Sequence, residues 1–238
     1  ILVEDLQRLA RGDGLPDKTS SYRQWGEGLA AYAQRAEAQL PYWREQVGAM
    51  GQAFTNQTFP QEWSSSEHSE PQLLQLDEVT TRQLIQMTTR RLQVDVRELL
   101  VAALTRSLME LGLGEQQLIM LEGHGREPID AGLDVSRTVG WFTSMFPVRV
   151  HNQADWPALV QHAAEQLRQV PDKGVGYLPL RSNPAHRDSL PLPAVALNYL
   201  GNYQSEAGDW QPLPLPPGNP SGASNLSAEL ISLHGGVF

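Results

Sequence analysis

The chain of 238 residues contains no cysteine. Disulfide scaffolds, thiolate nucleophiles and cysteine-ligated zinc or iron–sulfur sites are therefore excluded, and a reducing cytoplasm is the expected compartment. Basic residues are also scarce, since 18 Lys and Arg stand against 27 Asp and Glu and the net charge is −9. Nucleic-acid binders need clustered basic side chains to displace counterions. The composition thus predicts that nucleic acid is not a partner.

Long apolar runs are absent from the sequence. The longest covers residues 99–104, far below the roughly 20 residues that cross a bilayer, so no membrane partner is predicted. The six histidines are scattered without a pair at metal-ligand spacing, and no metal site is predicted. The patterns Gly-x-Ser-x-Gly, His-Glu-x-x-His and Gly-x-x-x-x-Gly-Lys are missing too, which removes the hydrolase, zinc-protease and phosphate-loop classes they mark.

Both ends of the sequence suggest a piece of a longer protein. The chain opens at Ile1 rather than Met, and apolar residues at positions 2, 3, 6 and 9 predict an amphipathic helix that is already under way. Residues 226–233 alternate like a strand, and the chain stops soon afterwards at Phe238.

Helix signals dominate the first part of the chain. Ser21 and Gln24 have the spacing of a capping box at the start of a helix, and a further short helix is predicted to carry Trp43 and Val47. Residues 48–71 then become rich in Gly, Gln, Ser and Pro, a composition typical of a linker. We therefore predict a helical segment over 1–47, a linker over 48–71 and a separate region over 72–238.

The region after the linker alternates between strands and helices. Strands are predicted at 73–76, 117–121, 146–150, 194–200 and 226–233. Helices are predicted to begin at Thr80 or Thr81, at an Asp95–Glu98 capping box and at Asp155. This alternation is typical of an α/β layer structure with one main sheet. The proline-rich stretch 191–220 is interpreted as a stiff surface loop.

Residues 122–127, Glu-Gly-His-Gly-Arg-Glu, are the first candidate for chemistry. Glu122 ends a predicted buried strand, and Gly123 and Gly125 permit a close approach of substrate. A carboxylate in a partly buried site has a raised pKa, as a general acid or base near neutral pH requires. The alternative is a tight turn whose Glu and Arg pair with neighbours.

Three further segments follow along the chain. Residues 134–143 place Asp134 and Arg137 before an aromatic pair, which indicates a salt-bridged turn over a core. Residues 171–177, Pro-Asp-Lys-Gly-Val-Gly-Tyr, are typical of a turn after a helix. In residues 197–201 Asn198 interrupts an apolar strand, as a hydrogen-bonded core amide would.

Taken in this order, the four segments resemble the signature series of epimerization domains of nonribosomal peptide synthetases. Residues 1–6 also resemble the helix that follows the His-His-x-x-x-Asp-Gly motif of that family, and residues 40–47 resemble the segment that closes its N-terminal lobe. Condensation domains share the fold, but they are not expected to carry Glu-Gly-His-Gly-Arg-Glu. The motif therefore favours epimerization.

The resemblance implies an α/β, chloramphenicol acetyltransferase-like fold of two lobes with a tunnel between them. Residues 1–47 would be the helical end of the N-terminal lobe, and residues 72–238 would be a two-layer C-terminal lobe truncated at its end. The partner would be a peptidyl carrier protein whose phosphopantetheine arm brings an aminoacyl or peptidyl thioester, with no dissociable cofactor. The reaction would invert the α-carbon from L to D.

The resemblance also implies roles for individual residues. Glu122 would exchange the α-proton opposite a histidine of the His-His motif, which is missing here together with most of the N-terminal lobe. Asn198 and Tyr199 would line the site and orient the thioester. Substrate-binding positions would be Gly123, His124, Gly125 and Trp141, with loop shaping the favoured role of His124. Arg137 and Asp134 would be structural, the arginine pairing with the Asp of the His-His motif.

Two alternatives stay open. One is a condensation domain that forms peptide bonds between two carrier-bound substrates. The other is a catalytically degenerate module that only docks the carrier protein. The upstream sequence would separate them, because an intact His pair indicates an enzyme and a degraded pair indicates a docking module.

Overall fold

The computed structural model of the chain describes residues 1–48, 74–202 and 231–237. The chain divides into two compact units, each built from alternating stretches. The first contains Ile1–Ala49, Glu122–Val148 and Leu167–Pro191, and the second contains Met50–Leu121, Arg149–Gln166 and Leu192–Phe238. Of the predicted linker 48–71, residue 48 ends a helix and the remainder lies outside the described residues. Within the described ranges, no helix is both long and apolar enough to cross a membrane.

The first unit begins with three helices, α1 (Leu2–Ala10), α2 (Tyr22–Ala36) and α3 (Leu40–Gly48), the last two joined by a 3-10 turn at Glu37–Gln39. The predicted capping box is confirmed, since the Ser21 hydroxyl accepts from the Gln24 N–H and the Gln24 side chain accepts from the Ser21 N–H. The amphipathic helix at the start is confirmed as α1, and its apolar residues 2, 3, 6 and 9 are each more than half exposed.

The stretch Leu167–Pro191 of the first unit contributes a 3-10 turn at Pro171–Gly174 and two short helices, α8 (Tyr177–Ser182) and α9 (Pro184–Arg187). The ring of Tyr177 packs edge to face against Trp43 with centroids 5.1 Å apart, and both side chains are fully buried. This aromatic pair joins α3 to α8 and forms one centre of the core of the unit.

Among the described residues, the helices of the second unit begin at Glu78. α4 (Glu78–Arg82) continues through a π-helical segment, Gln83–Thr88, into α5 (Thr89–Leu92), and α6 (Val96–Glu110) and α7 (Trp156–Arg168) are longer. The Asp95–Glu98 capping box is confirmed, with both reciprocal hydrogen bonds formed. Asp155 also caps its helix as predicted, because its carboxylate accepts from the Ala158 N–H at 2.8 Å.

Two predictions near residue 75 are wrong. Residues 74–76 form no strand, and Leu74 is 93% exposed, so its apolar side chain has no sheet face to cover. The cap of α4 is Asp77 rather than Thr80 or Thr81, since the Asp77 carboxylate accepts from the Thr80 N–H at 2.8 Å. Aspartate competes better than threonine for an N-cap, and this places the helix start one turn earlier.

The described strands form one sheet in the order β2-β1-β3-β4, made of β1 (Gln116–Gly123), β2 (Ser144–His151), β3 (Val195–Asn202) and β4 (Ile231–Val237). β3 runs parallel to β1 and to β4, with Leu121 opposite Leu197. The centre of β1, residues 119–121, is fully buried, as expected for a parallel strand covered on both faces. The predicted α/β arrangement is thus confirmed; residues 226–230 of the last predicted strand lie outside the described residues.

Candidate active site

Glu122 is the penultimate residue of β1 and the first that is not fully buried after the apolar run. Glu122 therefore lies at the carboxyl end of a parallel strand, the edge where open α/β sheets bind ligands. In the register of β1 and β3, Leu121 lies opposite Leu197.

Gly123 and Gly125 both pack closely against residues 142–144. A Cβ on Gly123 would lie 2.7 Å from the Ser144 hydroxyl, and a Cβ on Gly125 would overlap the carbonyl oxygen of Phe142. Gly125 also has φ +68°, a left-handed backbone that side chains disfavour. Gly125 therefore leaves no room for a side chain, whereas a side chain at Gly123 would require the Ser144 hydroxyl to move.

His124 shapes the loop between these glycines. Its Nδ1 accepts from the Arg126 N–H at 3.0 Å, and its Nε2 lies 3.2 Å from a carboxylate oxygen of Glu127. The imidazole remains 66% exposed. The other Glu127 oxygen lies 3.9 Å from the ammonium of Lys173, a contact that the sequence did not predict because the two residues are far apart along the chain.

Arg126 joins two of the candidate segments. Its guanidinium lies 3.9 Å from the centre of the Phe142 ring, donates to the Thr138 carbonyl at 2.8 Å and also donates to the Val135 carbonyl. A guanidinium presents several donors in a fixed plane, so one side chain holds both carbonyls and the ring at once. Arg126 therefore holds the segment 134–142 against the Glu-Gly-His-Gly-Arg-Glu loop, a role that the sequence alone did not predict.

Arg137 forms an ion pair with the carboxylate of Asp5 on α1, and its guanidinium also lies 3.7 Å from Glu4. The Arg137 and Asp5 side chains are only 26% and 27% exposed. The implied pairing of Arg137 with the Asp of the His-His motif stays a prediction, because that motif is missing from this sequence; the acidic partners that the described residues provide are Asp5 and Glu4.

Asp134 closes the turn before Arg137. Its carboxylate accepts from the Ser136 N–H at 2.9 Å, and hydrogen bonding from Ser136 lowers the pKa of Asp134. Its backbone pairs with Ser20, whose N–H donates to the Asp134 carbonyl at 2.7 Å. Asp134 is exposed, and its hydrogen bonds stabilise the conformation of the loop.

Trp141 and His124 line the same open cavity. The cavity has a volume of about 250 Å³ and is lined by His124, Arg126 and residues 140–143. The Trp141 side chain is 79% exposed, while its carbonyl accepts from the Tyr22 hydroxyl at 2.6 Å. The next residue, Phe142, is buried with its ring 5.2 Å from Tyr22. The structure therefore brings two of the predicted substrate-binding residues together.

Asn198 and Tyr199 lie on β3 and belong to the second unit, whereas Glu122 and the residues around it belong to the first. Both side chains are half-buried. Burial, followed by the nearby Asp95 carboxylate, raises the pKa of Tyr199 above its ordinary value of 10.0. Its phenol therefore stays protonated at neutral pH and can serve there as a hydrogen-bond donor.

Residues 1–224 match the family model described as the Condensation domain. The chain belongs to the condensation-domain family. Its curated relatives include Tyrocidine synthase 1 of Brevibacillus parabrevis, 33% identical with 87% of this chain and 20% of that protein aligned. Bacitracin synthase 3 of Bacillus licheniformis is 31% identical, with 100% of this chain and 4% of that protein aligned. The chain thus spans a fifth or less of the length of these relatives.

Solved condensation-domain structures give the fold. The epimerization domain from the third module of tyrocidine synthetase B matches with a TM-score of 0.71 and 28% identity, over 85% of this chain and 50% of that one. The first condensation domain of the CDA synthetase matches with a TM-score of 0.55 and 13% identity, over 81% and 41%. The predicted chloramphenicol acetyltransferase-like fold and the resemblance to epimerization domains are confirmed, and the chain spans about half of such a domain.

Proposed function

We propose that this chain is part of an epimerization domain that inverts the α-carbon, from L to D, of an aminoacyl or peptidyl thioester on a peptidyl carrier protein. The observation that carries the proposal is the position of Glu122. It is half-buried, next to last in a buried parallel strand at the carboxyl edge of the sheet, and it is the first residue of the Glu-Gly-His-Gly-Arg-Glu motif. The likeness to a solved epimerization domain supports the same reaction.

Inversion requires that a base remove the α-proton and that an acid return a proton to the opposite face. The electrons of the broken C–H bond pass into an enolate, whose oxygen needs hydrogen-bond donors. Glu122 would exchange the proton on one face, and a histidine from the upstream part of the domain would exchange it on the other. The phosphopantetheine arm of the carrier protein would bring the substrate, so no dissociable cofactor is needed.

Asn198 and Tyr199 would orient the thioester. An amide and a protonated phenol are both able to donate to an enolate oxygen, and the raised pKa of Tyr199 keeps its phenol in the donating form. A second candidate is peptide-bond formation, which the match to the condensation family model favours.

The test uses the full domain and a carrier protein loaded with a defined L-aminoacyl or peptidyl thioester, with the D/L ratio measured over time. Glu122→Gln keeps the shape of the side chain but cannot exchange a proton, so we expect a loss of about a hundred- to ten-thousand-fold in rate. The control is Glu110→Gln, which changes an exposed carboxylate at the end of α6 and should leave the rate unchanged. Near-normal inversion by Glu122→Gln would refute the role. Transfer of the substrate to an amine on a second loaded carrier, without inversion, would favour condensation.

A further inference from the structure

The turn at Pro171–Gly174 has an unusual backbone. Asp172 has φ 43° and Lys173 has φ 49°, and Gly174 follows with φ +85°. Left-handed backbone is unfavourable for a residue with a side chain, and Asp172 and Lys173 are two such residues in succession. The surroundings of the turn must therefore hold it in place.

Two polar side chains from the helical part of the first unit anchor the turn. The Asp172 carboxylate accepts from the Tyr32 hydroxyl at 2.5 Å and from the Gln39 amide at 2.9 Å. Gln39 is itself oriented, since its side-chain oxygen accepts from the indole N–H of the fully buried Trp43 at 3.2 Å. Burial and then the bond to Asp172 raise the pKa of Tyr32 to about 12, so the phenol remains a donor at neutral pH.

The other side of the turn lies against the Glu-Gly-His-Gly-Arg-Glu loop. The Lys173 carbonyl lies 3.8 Å from where a Cβ on Gly123 would be, and the Phe146 ring edge lies 3.6 Å from the same point. Gly174 packs so closely on Phe146 that a Cβ there would overlap the ring. Phe146 therefore lies between Gly174 and Gly123, and the Lys173 ammonium lies 3.9 Å from a carboxylate oxygen of Glu127 in the same loop as Glu122.

We propose that Asp172 is a positioning residue. Bonded to Tyr32 and Gln39, it would hold the strained turn against Gly123 and thereby fix the direction in which Glu122 presents its carboxylate. This inference rests on the proposed function of Glu122. A general acid or base must lie within hydrogen-bond reach of the proton it transfers, and a misplacement of about 1 Å costs on the order of a hundredfold.

The first measurement is steady-state inversion by the full domain. We expect Asp172→Ala to lower kcat by about ten- to a hundredfold with KM within about twofold. Asp172→Asn should retain more activity, because its amide oxygen still accepts from Tyr32 and Gln39. The control Asp188→Ala removes an exposed carboxylate in the same unit and should leave kcat unchanged. Unchanged kcat in Asp172→Ala would overturn the proposal.

The second measurement is amide hydrogen exchange over residues 122–127 in the full domain without substrate. Asp172→Ala should accelerate exchange there while α2 remains protected, and Asp188→Ala should not. Faster exchange spread over the whole unit would overturn the positioning role, since general destabilisation predicts that pattern. If Asp172→Ala does not fold, Tyr32→Phe, which removes one of the two donors to Asp172, decides by the same criterion. Normal inversion by Glu122→Gln together with local loosening in Asp172→Ala would refute the role of Glu122 but support the anchoring of its loop.

Discussion

The backbone of Gly125 lies directly against the carbonyl of Phe142, so closely that a Cβ on Gly125 would overlap its oxygen. The Arg126 guanidinium stacks over the ring of the same phenylalanine at 3.9 Å. The segments 122–127 and 134–143 therefore form one packed structure. Each restricts the conformations open to the other.

Gly125→Ala is expected to destabilise the protein by more than about 3 kcal/mol, because the methyl group adds a steric overlap to a left-handed backbone. Gly12→Ala is the matched control, since Gly12 also has a positive φ of 81° but nothing within 4 Å of the added Cβ. It should cost only about 1–2 kcal/mol. Urea unfolding measures both, and equal losses would contradict the close contact with Phe142.

Arg126→Lys is expected to lower the free energy of unfolding by about 1–3 kcal/mol. Lysine keeps the charge, but its single ammonium cannot hold the Val135 and Thr138 carbonyls and the Phe142 ring together. Arg23→Lys changes an exposed arginine that pairs with Glu27 along α2, and it should cost less than about 0.5 kcal/mol. Thermal unfolding of both variants tests the difference.

The ion pair between Arg137 and Asp5 should give a coupling free energy of about 1 kcal/mol in a double-mutant cycle with alanine at both positions, because both side chains are about three-quarters buried. Glu4 lies 3.7 Å from the same guanidinium but is 65% exposed. Its cycle with Arg137 should give a coupling near zero. A larger coupling for Glu4 than for Asp5 would show that this assignment is wrong.

Tyr32 should make the protein less stable at high pH. Its folded pKa of about 12 lies above the ordinary value of 10.0, so between these values the unfolded chain holds fewer protons than the folded chain. Stability is then fully present below pH 10 and falls as the pH rises towards 12. In Tyr32→Phe the free energy of unfolding should decline less steeply over that range. The decline that remains is expected from Tyr177 and Tyr199, whose pKa values are also raised by burial; identical slopes would contradict the prediction.

Local signals in the sequence predicted much of the fold. The Ser21–Gln24 and Asp95–Glu98 boxes act within a single helical turn, so their residue types alone identify the helix starts. The apolar run of β1 likewise predicts a buried strand. Residues 74–76 alternate between apolar and polar types but form no strand, because strand formation depends on pairing partners that a local pattern does not contain.

Local patterns in the sequence did not predict the long-range contacts that shape the candidate site. The Tyr32 hydroxyl and the Asp172 carboxylate are separated by 140 residues, and Arg137 and Asp5 by 132. A pattern read along the chain does not bring such pairs together. The left-handed backbone at Asp172 and Lys173 was not predicted either, since aspartate adopts it only occasionally, lysine disfavours it, and two such residues in succession depend on tertiary contacts.

The first unit is assembled from three separate stretches of chain, and this arrangement has a cost during synthesis. The Tyr22 hydroxyl meets its acceptor at Trp141 only after 119 further residues have been made, which at about 5–20 residues per second takes roughly 6–24 s. Until then the rings of Tyr22 and Trp25 on α2, which pack against Phe142 in the folded protein, lack this contact. A slower translation rate lengthens this interval, and we expect it to lower the yield of folded protein.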